Sequence, residues 1–137
     1  MSEIGLRTKM LVRDVMSSPV VTMDEDETAN RAAMNMDMKD LGAVIVQNKA
    51  AKSIGIITER DLVIRVVAKN LKPDTVKAKE IMTTPLVTIE PEATISDAAR
   101  RMTRLDIRRL GVVYKGNLVG IISSKDVLGV MPELLEI

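Results

Sequence analysis

The chain has 137 residues, 46% of them hydrophobic, and nearly balances 20 basic residues against 19 acidic ones. It holds no Cys, His, Phe or Trp and one Tyr, which removes disulfides, thiolate metal sites, the commonest general base and any stacking platform for nucleic-acid bases. No apolar run reaches the about 18 residues of a membrane span and residues 1–9 lack a signal-peptide core, so a cytoplasmic protein with no catalytic residues, no metal and no catalytic cofactor is expected.

Residues 11–16 read as a short helical turn ended by Ser17-Ser18-Pro19, because proline disfavours helix in the residue before it. A β-rich stretch follows at 20–23, then an acidic loop at 24–27. Ala29, Ala32, Ala33 and Met36 recur at helical spacing after it, with Arg31 where a capping box would carry an acid. Strands are predicted at 43–47 and 54–57, the first with the weak alternation expected of a strand buried on both faces. A helix begins near Glu59, and residues 69–77 form a linker. The same order then returns: a turn at 78–82, Thr83-Thr84-Pro85, a strand at 86–89 and an acidic loop at 90–92. The next helix has Thr94 as cap, Asp97 completing the box, and Ile95, Ala98, Ala99, Met102 and Leu105 on one face. Strands at 110–114 and 118–122 are joined by Lys115-Gly116-Asn117, and a last helix from near Ser124 stops around Val130, ahead of Pro132.

The recurrence extends to motifs. Gly55-Ile56-Ile57-Thr58-Glu59-Arg60-Asp61 returns 65 positions later as Gly120-Ile121-Ile122-Ser123-Ser124-Lys125-Asp126. Met16-Ser17-Ser18-Pro19-Val20-Val21-Thr22 returns 66 positions later as Met82-Thr83-Thr84-Pro85-Leu86-Val87-Thr88. Two copies are too few for a solenoid. The expected fold is α/β, two β-α-β-β-α repeats related by a pseudo-two-fold, each a small sheet covered by helices and the two sheets packed together. The repeats span 8–68 and 78–131, followed by a tail at 132–137.

The strand-to-helix junction G-h-h-[ST]-x-x-D (h being aliphatic) is the leading candidate for chemistry. Free backbone N–H groups and the helix dipole there favour an anion, and a carboxylate three residues past a hydroxyl suits a ribose diol. Arg60 and Lys125, one residue before each Asp, would offset phosphate charge. The same pattern is also a capping box with no ligand at all. Arg108 and Arg109 precede a buried strand where the first copy has Gly42 and Ala43. Small residues would let a base approach backbone, and arginines would bind phosphate. Arg100, Arg101 and Arg104 suit a solvated helix face, although the strip from Arg100 to Arg109 also raises a nucleic-acid-binding alternative. Near-zero net charge and missing aromatics weigh against that alternative. A purely structural dimerisation module is a third reading.

Taken together, V-R-D-V-M-S-S-P-V-V-T with K-E-I-M-T-T-P-L-V-T, and G-I-I-T-E-R-D-L with G-I-I-S-S-K-D-V, resemble a tandem pair of cystathionine β-synthase (CBS) domains over roughly 11–131. Gly111, where that family often has Pro, and Gln47-Asn48, in place of an apolar-acidic strand end, depart from its pattern. The resemblance implies a stand-alone, non-enzymatic regulatory module binding AMP, ADP, ATP or S-adenosylmethionine in clefts between the repeats. It implies that Ser123 and Asp126 hold ribose hydroxyls in one site, with Ser18, Val20, Gly42 and Ala43 near the base. Thr58 and Asp61 would do so in the other, with Thr84 and Leu86 near the base, while Arg108, Arg109, Arg60 and Lys125 face phosphates. It also implies a homodimer through helices carrying Leu62, Val63, Val66, Val67, Val127, Leu128 and Met131, and an unidentified effector protein. The two sites should be unequal, with the Ser123–Asp126 site the tighter.

Overall fold

The computed structural model describes residues 10–132; the predicted start of the first repeat at residue 8 and all but Pro132 of the predicted tail lie outside them. The chain divides into two compact units whose bounds differ from those of the sequence repeats. A continuous unit runs from Val21 to Leu86, and a split unit joins the segment up to Val20 with the segment from Val87 onward. Each unit therefore contains the body of one repeat and the opening Met-[ST]-[ST]-Pro segment of the other.

In the continuous unit, β1 (Thr22–Asp24) lies parallel to β2 (Ala43–Gln47), which pairs antiparallel with β3 (Ser53–Thr58). Helix α1 (Ala29–Lys39) connects β1 to β2, and α2 (Glu59–Leu62) follows β3 and continues as a π-helical turn, Val63–Val67. A short α3 (Ala78–Ile81) precedes the second proline segment. The split unit repeats the plan. A 3-10 turn (Val12–Asp14) comes first, then β4 (Thr88–Ile89), α4 (Ile95–Leu105), β5 (Arg109–Tyr114), β6 (Asn117–Ser123) and α5 (Ser124–Gly129). β4 is parallel and β6 antiparallel to β5. The expected α/β fold with two β-α-β-β-α repeats is borne out. Among the described residues no helix is long and apolar enough to cross a membrane.

Local chemistry explains the elements. Thr28 and Thr94 cap α1 and α4 by accepting from the Arg31 and Asp97 N–H groups, and only the second box has its acid, as the sequence predicted. Both helices end on an aspartate in the left-handed region, Asp40 and Asp106, each at φ 53°. The β5–β6 hairpin turns on Lys115 and Gly116, at φ 50° and 81°, the two positive values of a type I′ turn. The first copy has a wider loop at 48–52, closed by the Asn48 side chain accepting from the Ala50 and Lys52 N–H groups. That extra residue is the change in repeat offset.

The first strand of each unit starts two residues later than predicted. The carbonyls of Val21 and Val87 accept from Ile45 and Gly111, but the preceding residues turn the other way, and the Leu86 N–H goes to the Ile54 carbonyl. The strands at 20–23 and 86–89 are thus shortened to Thr22–Asp24 and Thr88–Ile89. Each unit has its own core. Met23, Ala32, Met36, Val44, Val46, Ile57 and Val66 pack in the continuous one, and Val12, Ile89, Ala98, Met102, Leu110, Val112 and Ile122 in the split one. Val44, Ile45 and Val46 are all buried in succession, which is why β2 shows no alternation.

The proline segments act as straps along the free edge of each third strand. Ser17 exchanges two backbone hydrogen bonds with Ile121 (2.8 and 3.1 Å), and Thr83 does the same with Ile56 (2.8 and 3.0 Å). Both Ser18–Pro19 and Thr84–Pro85 are cis. The strap methionines lie over the glycines that open the repeated motif. A Cβ on Gly55 would sit 2.7 Å from Met82 Sδ, and one on Gly120 2.5 Å from Met16 Sδ. The two duplicated motifs are therefore halves of one contact, and each contact joins different copies of the repeat.

Two aspartates link this framework to pH. The Asp26 carboxyl is held below its usual 3.8, first by its hydrogen bond with Lys79 (3.0 Å) and further by the charges of Lys79, Lys77 and Lys49. Asp97 is lowered chiefly by the Thr94 backbone N–H. A carboxyl whose folded pKa is depressed stabilises the fold above its unfolded pKa and loses that contribution as pH falls through the folded value. Thermal midpoints should stay level from pH 7 to about 5 and fall below about pH 4. Calorimetric scans of Asp26→Asn and Asp97→Asn should show a shallower acid decline than the parent.

Candidate functional site

Both [ST]-x-x-D junctions fold as full capping boxes. In the continuous unit the Thr58 N–H and hydroxyl both donate to Asp61 Oδ2 (2.8 and 3.1 Å), and the Asp61 N–H donates back to Thr58 Oγ1 (3.3 Å). In the split unit the Ser123 N–H and hydroxyl donate to Asp126 Oδ2 (2.8 and 3.0 Å), and the Asp126 N–H returns to Ser123 Oγ (3.2 Å). The first N–H of each helix is also engaged. Glu59 donates to the Gly42 carbonyl at 3.2 Å and Ser124 to the Arg108 carbonyl at 2.8 Å. The helix starts are thus less open to an anion than the sequence suggested, because their own caps and the neighbouring strands take the donors. What remains for chemistry is the second carboxylate oxygen, Oδ1.

At that atom the copies part. Asp61 is only 6% exposed, and its Oδ1 accepts from Thr83 Oγ1 at 3.0 Å with Arg65 Nε 3.8 Å away. Arg65 also donates to the carbonyls of Ile81 (3.2 Å) and Met82 (2.9 Å), clamping the start of the strap. Thr84 Oγ1 and the Leu86 N–H both donate to the Ile54 carbonyl, at 2.8 and 3.1 Å. Asp126 is half-buried, and among the described residues no protein group donates to its Oδ1. The strap at 16–20 is held by its two Ser17 backbone bonds and by the Met16 N–H, which donates to the Val12 carbonyl at 2.9 Å, and the hydroxyls of Ser17 and Ser18 take no protein partner among the described residues.

The sequence-predicted residues sort accordingly. With Ser123, Lys125 and Asp126 the split unit holds Ser18, Val20, Arg108 and Arg109. Arg109 pairs with Ser123 across β5 and β6. Thr58, Arg60 and Asp61 share the continuous unit with Thr84 and Leu86, and also with Gly42 and Ala43, the latter paired with Thr58. Among the described residues no carboxylate lies within 4.0 Å of a cationic nitrogen of Arg108, Arg109 or Lys125. The helix arginines differ, since Arg100 pairs with Asp97 and Arg101 donates to the Thr88 carbonyl. An open polar hollow of 390 Å³ beside them, lined by Glu90, Glu92 and Asp97 as well as Arg104, has both signs of charge. Sequence reasoning missed Arg65 and Thr83, the residues that occupy Asp61. Their counterparts in the split unit, Val130 and Ser17, were the available signal.

Comparison with known proteins matches this geometry to a family. A family model, that of the CBS domain, matches residues 12–68 and again 78–133. An uncharacterized protein of Methanopyrus kandleri is 40% identical over 125 residues, covering 90% of this chain and 64% of the relative, so the chain spans under two thirds of that relative's length. A solved structure of a putative signal-transduction protein with CBS domains from Burkholderia ambifaria has a TM-score of 0.82 at 27% identity, covering 90% of this chain and 95% of the other. A hexameric CBS-CP12 protein from bloom-forming cyanobacteria also has a TM-score of 0.82, at 34% identity, covering 87% of this chain and 69% of the other.

Proposed function

This chain belongs to the CBS-domain family as a tandem pair, a regulatory type of module, and from that premise we propose that it is a non-enzymatic sensor binding an adenosine phosphate at the Ser123–Asp126 junction. One observation carries the reading: Asp126 keeps an unpartnered carboxylate oxygen at a junction whose backbone neighbours include Arg108, bonded through its carbonyl to Ser124, Arg109, paired with Ser123, and Lys125, three cations that lack carboxylate partners among the described residues. The carboxylate would accept from the ribose hydroxyls, a charge-assisted pair of bonds. The cations would take the phosphates, which favours AMP, ADP or ATP over S-adenosylmethionine, whose sulfonium brings a positive charge toward them. With no aromatic except Tyr114, adenine would lie against aliphatic and backbone groups near Ser18 and Val20. A nucleotide acts as a signal only through tighter binding to one arrangement of the module than to another. Exposed Val63, Ile64 and Val67, and separately Leu128 and Met131, are apolar surfaces for self-association, in keeping with the hexameric relative, or for an effector protein.

Titration calorimetry on protein stripped of co-purified ligand tests this. AMP, ADP or ATP should bind, and at 100 times its dissociation constant should stabilise the fold by about 2.7 kcal/mol. Asp126→Ala should weaken binding by roughly tenfold or more, and Arg108→Ala with Arg109→Ala should weaken ATP far more than adenosine. Silence toward all these ligands at millimolar concentration would sink the reading.

A further inference from the structure

The two junctions match in sequence and differ in what holds them shut. In the continuous unit the second carboxylate oxygen and the strap donors are already taken, Asp61 Oδ1 by Thr83 and Arg65, the Thr84 hydroxyl and the Leu86 N–H by the Ile54 carbonyl, while Arg60 has no carboxylate partner among the described residues. In the split unit the equivalent Asp126 oxygen and strap hydroxyls take no protein partner among the described residues. A carboxylate oxygen at a site this buried is costly to strip of its donors, because nothing on the protein would replace them. A diol entering there would have to displace a hydroxyl and a guanidinium for a gain close to zero.

We infer that the copies have divided their work: the Thr58–Asp61 junction is a latch that fastens the strap at 82–86 through Thr83 and Arg65, and Ser123–Asp126 is the junction left to receive a ligand, one nucleotide per chain. The single-site half rests on the function proposed above; the latch half does not. In this arrangement Asp61 is a positioning residue for the strap. The sequence difference behind it is small, Thr83 and Arg65 in the continuous unit against Ser17 and Val130 in the split one.

The test combines thermal denaturation with titration calorimetry using AMP and ATP on the full chain. Thr83→Val and Arg65→Ala should each lower the melting midpoint by roughly 4 °C or more while keeping one nucleotide bound per chain with unchanged affinity. Asp126→Ala should shift the midpoint less than Asp61→Ala does, and should remove the binding event. Two nucleotides per chain in the parent protein, or loss of a binding event in Thr83→Val at unchanged stability, would overturn the division. Should no nucleotide bind at all, the functional reading fails by itself. The latch is then judged on the midpoints: a larger loss in Asp61→Ala than in Asp126→Ala supports it, and equal losses refute it.

Discussion

Replacing Gly120 by valine should cost about 3 kcal/mol of folding stability, and Gly55→Val a similar amount. In a strand a glycine normally weakens the structure, so a side chain there would ordinarily be a gain. Here the first added carbon would fall 2.5 Å from Met16 Sδ and 3.0 Å from the Ser17 carbonyl at Gly120, or 2.7 Å from Met82 Sδ and 2.9 Å from the Thr83 carbonyl at Gly55. The thioether can swing away, but the strap carbonyls cannot, since they accept from the Ile121 and Ile56 N–H groups. Urea denaturation should show the loss. The double variant Gly120→Val with Met16→Ala should recover only part of it, because the carbonyl contact persists. Full recovery would mean that the methionine alone sets the spacing.

The second large effect is in the cores. Ile122 and Ile57 are fully buried equivalents, each in the middle of its unit's cluster. Truncation of either to alanine removes apolar contact and leaves a cavity that rigid sheets fill poorly, so each should destabilise by about 3–4 kcal/mol. Ile64, also aliphatic but 42% exposed on the π-helical turn, is the control. Its alanine variant should stay within about 0.5 kcal/mol in the same denaturation series. A loss at Ile64 comparable to that at Ile122 would show that the turn is covered in solution by another surface.

Much of the fold was legible because periodicity and punctuation agreed. The Thr94–Asp97 box, the Ala and Met spacing of both long helices, and the β2 limits at Ala43 and Gln47 were all fixed by local chemistry. The late starts of β1 and β4 were not, because whether residues 20 and 86 join the sheet depends on a strap bonded to a strand far away in sequence. The candidate site divides in the same way. A hydroxyl and an acid three residues apart announce a capped helix start, and both copies have it. Which carboxylate has an oxygen to spare is set by Thr83 and Arg65, at separations of 22 and 4 residues, and no motif records that pairing. Gly55 and Gly120 were visible as repeated letters, but their purpose, to admit a methionine from the other copy, is a tertiary fact.

The way the straps cross has a consequence for biogenesis. Residues 21–86 are contiguous, so everything that unit requires has been synthesised once Leu86 has left the ribosome. The other unit must hold Ser17 of its opening segment without its strand partner until Ile121 has been synthesised, more than a hundred residues later. The chain therefore has an intrinsic order of assembly. A gene cut at the boundary between its two homologous halves, although it respects the sequence repeat, would separate each strap from its strand and leave neither fragment with a complete fold.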